Sequence, residues 1–258
     1  MVGNNEYILE INGIKKHFGG VYALDDVELH LKHNEILGIV GDNGAGKSTL
    51  IKIISGALKK DEGEIYFEGN KVNISDPKDA RNLGIETVYQ DLNLVDIQNP
   101  SFNIFLGREV CYGGILKYLF LLNNRWMLKE TINLMNKFNV NLGNLRRPMK
   151  EYSGGQRQAV AISKSIYWGN KIVLLDEPTA SLGVNESKKV LELIKSLKNI
   201  SNTSVIIISH NMQHIFNVVD KIMVLRRGKL ITVQNVHDVT ATDIIKYITG
   251  AEKVIERV

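Results

Sequence analysis

The chain has 258 residues, 44% hydrophobic and 23% charged, an ordinary globular balance that excludes a disordered tail and suits one large core or two closely packed subdomains. Its 32 basic and 28 acidic residues leave a net charge of +4; the basic residues fall in scattered doublets such as Lys59-Lys60 and Lys188-Lys189, without the clustering a nucleic-acid face needs, while weak docking near an anionic membrane surface is at least as compatible. The longest apolar run, over 115–122, is broken by Lys117 and falls far short of the roughly 20 residues of a membrane span. The first residues show no basic leader followed by an apolar stretch, so export is not expected. The single cysteine, Cys111, forms no internal disulfide, as expected in a reducing compartment.

From Tyr7 to Ile39 the chain reads as short β runs broken by turns: YILEING, VYALDDVELHL, then EILGIV directly before the glycine-rich stretch GDNGAGKST at 41–49. The spacing of apolar residues predicts a helix over Thr49–Leu58, and GEIYFEGNKVNI predicts a hairpin turning at Gly69-Asn70. Val88 to Gln90 closes this portion. Residues of about 91–150 change character and predict a helical insert, with Leu128, Ile132 and Met135 recurring on one helical face. A second glycine-rich stretch, YSGGQRQAV, spans Tyr152–Val160. A helix follows over Gln156–Trp168, then KIVLLD over Lys171–Asp176, a continuous apolar run of the kind a parallel strand buried on both faces shows. An amphipathic helix over Asn185–Ile200 carries Val190, Leu193, Ile194 and Leu197 on one stripe; strand SVIIIS, helix NMQHIFNVV and strand KIMVLRR complete the pattern, with a turn at Arg227-Gly228. Strand and helix alternate, so the expected class is α/β with a largely parallel sheet. No internal repeat or low-complexity tract is present.

GDNGAGKS fits the pattern G-x-x-x-x-G-K-[ST]. Gly41, Gly44 and Gly46 let the backbone turn so that its N–H groups, those of Asn43, Ala45 and Thr49 among them, point at phosphate oxygens; Lys47 neutralises the β and γ phosphates and Ser48 offers a hydroxyl to Mg²⁺. LLDEP places Asp176 at the carboxyl end of a buried strand, where open α/β sheets hold ligands, and sets Glu177 beside it to polarise an attacking water. Ser153, Gly154, Gly155 and Gln156 open a helix, so N–H groups and the positive end of its dipole face an anion. That second loop has no lysine and would hold phosphate too weakly alone.

A phosphate loop, LLDEP and SGGQ in this order resemble the ATP-binding subunits of ABC transporters, nearly end to end. The resemblance implies a P-loop NTPase core with an N-terminal antiparallel β subdomain and a helical insert subdomain, ATP and Mg²⁺ as cofactors, and an SGGQ loop that serves the ATP held by a partner copy in a head-to-tail homodimer. It implies that Phe18 stacks on the adenine, that Gln90 contacts Mg²⁺ and water and joins core to insert, and that His210 reaches the γ-phosphate. Ser48, Gln90 and Asp176 are the implied metal residues; Glu177, His210, Gln90 and Lys47 are the catalytic ones. The expected division is 1–90 with 160–235 as ATP-binding core, 91–159 as helical subdomain and 236–258 as a tail.

TASLGV, FLGRE at 105–109, SHNM at 209–212 and YITGA at 247–251 resemble the branch that energises uptake of simple sugars such as ribose, xylose or fructose, whose members commonly fuse two such halves; this chain carries one. That branch implies integral membrane permease subunits as partners, indirectly a sugar-binding protein outside the membrane, and a peripheral place on its cytoplasmic face. The run over 115–122 is the candidate permease contact. Many members have an aspartate where this chain has Gly183, a departure that bears on cross-talk between the two sites. An amino acid, nucleoside or autoinducer cargo stays open. A soluble relative acting on nucleic acid or ribosomes is the rival reading; the long coiled coil or cysteine-rich modules of such DNA-repair relatives have no counterpart here, and no nucleic-acid partner is expected.

Overall fold

Residues 6–113, 121–169 and 171–251 are described in the computed structural model. Strands β1 (Tyr7–Phe18) and β2 (Val21–Lys32) pair antiparallel across the Gly19-Gly20 turn. β3 (Ile36–Val40) has all five residues buried and runs directly into the glycine-rich loop that precedes α1 (Lys47–Ile54). The predicted hairpin is present as β4 (Glu62–Phe67) and β5 (Asn70–Val72). With β1 and β2 it forms an antiparallel sheet in the order β2-β1-β4-β5. Helix α2 (Pro77–Asn82) follows, where Asp76 accepts from the amides of Lys78 and Asp79 and Pro77 needs no amide partner, and β6 (Ile85–Val88) ends this half.

The insert contributes α3 (Pro100–Phe105) and α4 (Asn124–Lys137). Then α5 (Gly154–Trp168), β7 (Ile172–Asp176), α6 (Val184–Ser201), β8 (Ser204–Ile208), α7 (Met212–Val218) and β9 (Lys221–Arg226) alternate as expected. Strand β10 (Lys229–Asn235) and helix α8 (Ala241–Thr249) follow. The large sheet has the order β10-β9-β3-β8-β7-β6, with every pairing parallel except β10 on β9. Successive residues of its strands point to opposite faces. Leu37, Ile39, Leu174 and Ile206 join α1 and the antiparallel sheet in one core, while Val173, Leu175, Val205 and Ile207 join α5, α6, α7 and α8 in the other. Both faces are covered, which is why these strands read as unbroken apolar runs.

Three readings are corrected. The helix after the phosphate loop begins at Lys47 and stops at Ile54, because its first turn is made of the loop's own last residues. In α4 the buried residues are Met127, Thr131, Leu134 and Met135, whereas Ile132 is 41% exposed. The face is turned by about one residue because Thr131 counts as interior: its Oγ1 donates to the Met127 carbonyl at 2.8 Å, which satisfies the hydroxyl within the helix. α2, β10 and α8 have no counterpart among the elements expected from the sequence, although α8 carries Ile244 and Ile248 at helical spacing and Thr240 and Asp243 form a capping box at its start. The apolar run over 115–122 falls, up to residue 120, outside the described residues.

Loop geometry after Gln90 is set by one buried amide. Asn103, with no exposed surface, accepts from the Val95 amide at 2.7 Å and holds its Nδ2 within 3.1 to 3.2 Å of the carbonyls of Val95, Gln98 and Asn99. Asn103→Leu fills similar space but orphans these buried groups, and is expected to cost about 2–3 kcal/mol, read from the urea midpoint.

Candidate functional site

The carboxyl ends of β3 and β7 open on one cleft of about 540 Å³, lined by Phe18, Val21, Tyr22, Ala23, residues 43–49, Gln90, Asp176, Glu177, Ile208 and His210. Its floor is the glycine-rich loop. At Gly41 (φ +151) a Cβ would stand 2.1 Å from the Leu225 carbonyl oxygen, and at Gly46 (φ +105) 2.6 Å from that of Ala23. No side chain fits at either, so the backbone passes flush against both strands. The Gly228 amide donates to the Ala45 carbonyl at 3.0 Å and the Asp25 amide to the Gly228 carbonyl at 2.8 Å, so the β9–β10 turn ties the loop to the antiparallel sheet. A Cβ at Gly44 would meet nothing within 4 Å; that side of the loop is open to the cleft.

Lys47 is buried and donates to the carbonyls of Gly41 at 2.6 Å and Asp42 at 2.9 Å. Burial pulls its ammonium below the usual lysine range, against the pull of the Glu177, Asp42 and Asp176 carboxylates. Burial likewise pushes the carboxyl of Asp176 up, opposed by Lys52, Lys47 and His210. Glu177 is pushed up by burial too, opposed first by His210. Its backbone lies in the left-handed region at φ +53, held there by its amide donating to the Ile208 carbonyl at 3.0 Å. That turn directs the side chain, 13% exposed, toward His210, whose Nε2 is 3.1 Å from Oε1. Despite this approach, Oε1 has no partner in hydrogen-bonding geometry. An orphaned buried carboxylate oxygen is a place for a water. Among the described residues no group of three His, Cys, Asp or Glu could cage a metal, and the donor set of Ser48, Gln90 and Asp176 suits an ion that is held by one carboxylate and completes its shell with phosphate oxygens and water.

Sequence reasoning named most of this cleft: Phe18, Asn43, Gly44, Ala45, Gly46, Lys47, Ser48, Thr49, Gln90, Asp176, Glu177 and His210 all line it. Gly41 sits behind it as the carbonyl that holds Lys47. Val21 and Tyr22 were missed. They stand beside Phe18 because β2 turns back on β1, pairing Phe18 with Val21 and His17 with Tyr22, and no motif in the sequence marks that register.

The SGGQ residues lie elsewhere. Ser153 caps α5, its Oγ accepting from the Gln156 amide at 3.4 Å while Gln156 Oε1 accepts from the Ser153 amide at 3.2 Å. Ser153, Gly155 and Gln156 line a separate cavity of about 680 Å³ between α5 and α6, and Gly154 begins the helix. None of them lines the Lys47 cleft. Gly183 stands at the N-cap of α6 with no side-chain cap.

Residues 24–180 match the family model described as ABC transporter. The chain is 44% identical over 243 residues to the xylose/arabinose import ATP-binding protein XylG of Sulfolobus acidocaldarius, covering 94% of each. It is 42% identical over 250 residues to the fructose import ATP-binding protein FrcA of Rhizobium meliloti, covering 96% of each. A solved nucleotide-free ATP-binding cassette from an ABC transporter superposes with a TM-score of 0.77 at 26% identity, over 97% of this chain and 98% of that one. With its phosphate loop between two sheets and its two carboxylates at the end of β7, the chain belongs to the ABC transporter family.

Proposed function

We propose that this chain is the ATP-hydrolysing subunit of a monosaccharide importer, working as a head-to-tail pair on the cytoplasmic face of a membrane beneath separate permease subunits that receive sugar from a binding protein outside. The observation that carries this reading is the division of the motifs: one cleft gathers the phosphate loop, Asp176, Glu177, Gln90, His210 and Phe18, while Ser153 and Gly155 open on a different cavity. The relatives named for xylose/arabinose and fructose import support the cargo class. Among the described residues no helix is long and apolar enough to cross a membrane, so the translocation path is assigned to other subunits.

In this reading Phe18, 54% exposed at the end of β1, stacks on adenine. Lys47 leaves the carbonyls of Gly41 and Asp42 and turns to the β and γ phosphates. Ser48, Gln90 and Asp176 would hold Mg²⁺, which would supply neutralisation of phosphate charge. Glu177 polarises the attacking water through the oxygen that now lacks a partner, and His210 steadies that carboxylate and reaches the γ-phosphate. Residues 1–90 with 160–235 form the ATP-binding core, 91–159 the helical subdomain and 236–258 a tail. The insert would receive a helix of the permease.

Three outcomes are expected. Glu177→Gln keeps size and hydrogen bonding but not the base, so ATP binding persists and steady-state turnover falls on the order of 10²- to 10⁴-fold; normal turnover removes Glu177 from the mechanism.

Because burial raises the Asp176 carboxyl above its ordinary value, the folded chain binds that proton more tightly than the unfolded chain does. The associated stability is full below the unfolded pKa of about 3.9 and is lost as pH rises through the folded value. Asp176→Asn therefore raises the nucleotide-free unfolding midpoint at pH 7, and the gain shrinks to nothing below about pH 4; a gain that persists in acid contradicts the desolvation account.

A shared site makes the strongest demand. Lys47→Ala and Ser153→Arg each damage both sites of a homodimer, yet a mixed dimer collects both lesions in one site and leaves the other intact. With random pairing, half the dimers are mixed and each has one good site of two, so mixing two inactive chains restores at most about a quarter of wild-type turnover. Absence of both recovered turnover and recovered ATP-dependent pairing, where the wild type pairs, sinks the shared site.

A further inference from the structure

The start of α5 already has a carboxylate on it. Glu186, in the first turn of α6, lies against the glycines of the SGGQ loop: a Cβ on Gly155 would stand 2.9 Å from its Cβ, 3.2 Å from its Cγ and 3.4 Å from its carboxyl carbon, and one on Gly154 would stand 3.8 Å from its Oε2. Ser153, Gly155 and Glu186 face the same cavity. The Ser153 hydroxyl and the amides of Gly155 and Gly183 flank this carboxylate and hold Glu186 below the usual carboxylate range. The same donors, with the positive end of the helix dipole, are what an incoming phosphate would need. One set of donors cannot serve two anions.

We propose that Glu186 is a gatekeeper of the shared site, its side chain lying over the SGGQ glycines in the single chain and displaced when a partner's nucleotide phosphate takes the Ser153 and Gly155 donors. The inference rests on the shared-site reading and adds a residue to it. Displacement would carry a conformational consequence. Leu182, four residues before Glu186, packs on the other glycine, its Cδ2 2.9 Å from where a Gly154 Cβ would be. Moving the start of α6 away from the loop therefore moves the segment that begins at Glu177. Gly183, lacking a side chain, gives α6 no cap of its own, and Glu186 is the acidic group in the first turn that favours that helix end. A purely structural role for Glu186 at that helix end is the alternative the test must separate.

Glu186→Gln keeps the shape and removes the charge. In chains that also carry Glu177→Gln, so that hydrolysis does not dissolve the pair, the readout is the ATP concentration giving half-maximal pairing by light scattering at fixed protein concentration. Removing the competing charge from the helix N-terminus is expected to lower that concentration about three- to tenfold. In the nucleotide-free single chain, Glu186→Ala is expected to speed amide exchange over residues 153–157, because the side chain that covers Gly155 is removed. A midpoint that is unchanged or raised overturns the proposal, as a helix cap alone would leave it. If the two midpoints coincide while Ser153→Arg blocks pairing in both backgrounds, the shared site stands and Glu186 is no gatekeeper. If neither chain pairs at any ATP concentration, the shared-site reading fails and this inference falls with it.

Discussion

Parallel strands that end together leave their last residues in a place that is neither solvent nor core, and the charges put there must find partners. In this chain the carboxyl ends of β3 and β7 deliver Lys47, Asp176 and Glu177 to one half-buried cleft. Each charge is disfavoured by desolvation, the lysine toward neutrality and the carboxylates toward protonation. Mutual attraction offsets this only in part. Lys47 turns back on its own loop carbonyls, and Glu177 keeps one carboxylate oxygen without a hydrogen-bond partner. A left-handed backbone at a non-glycine residue adds roughly 1–2 kcal/mol of strain at Glu177. Polar groups left waiting in this way are poor for stability and suited to binding, since a ligand with dispersed negative charge and a hydrated cation can satisfy the lysine and the carboxylates together.

The same cleft explains why the two sheets must be locked together. The phosphate loop leaves the large sheet at Val40, yet its glycines touch a carbonyl of β2 at one end and of β9 at the other, and the Gly228 peptide bridges the loop to Asp25 of β2. Phe18 and Tyr22 hang from the β1–β2 hairpin. Spacing between an aromatic wall and the phosphate floor is therefore set by hydrogen bonds at Gly228, far from any motif that would be read as nucleotide-binding.

Much of this was legible because chemistry and sequence are adjacent in the loops concerned. A phosphate loop needs consecutive amides, so Gly41 to Thr49 announce it; a buried strand ending in two carboxylates is contiguous, so Asp176 and Glu177 are visible together. What escaped depends on pairing between distant segments. Val21 and Tyr22 join the cleft only through hairpin register. The α4 face was misjudged because Thr131 counts as polar in a sequence and as interior once its hydroxyl bonds within the helix. β10, half-exposed at the sheet edge, has the weak pattern of an edge strand. Glu186 reads as an ordinary first-turn acidic residue; only the packing of α6 on α5 brings it over Gly155.

Two seams join the cleft to the SGGQ loop, and their chemistry differs. Along one, the segment after Gln90 is stitched to the residues before Ser153: the Lys150 amide donates to the Asp96 carbonyl at 3.0 Å, the Met149 amide to the Gln98 carbonyl at 2.8 Å, and Arg157 of α5 pairs with Asp96 at 2.5 Å. Asn103 holds that segment rigid from behind. Along the other, the turn after Glu177 reaches the signature glycines through the apolar contact of Leu182 and the carboxylate of Glu186. A backbone-bonded seam transmits displacement with little slack, whereas a contact made of one charge and one leucine can be broken and remade. In the proposed function this asymmetry assigns the roles: the Gln90 seam carries motion between the nucleotide cleft and the insert, and the Glu186 seam is the one that opens when two chains close on ATP.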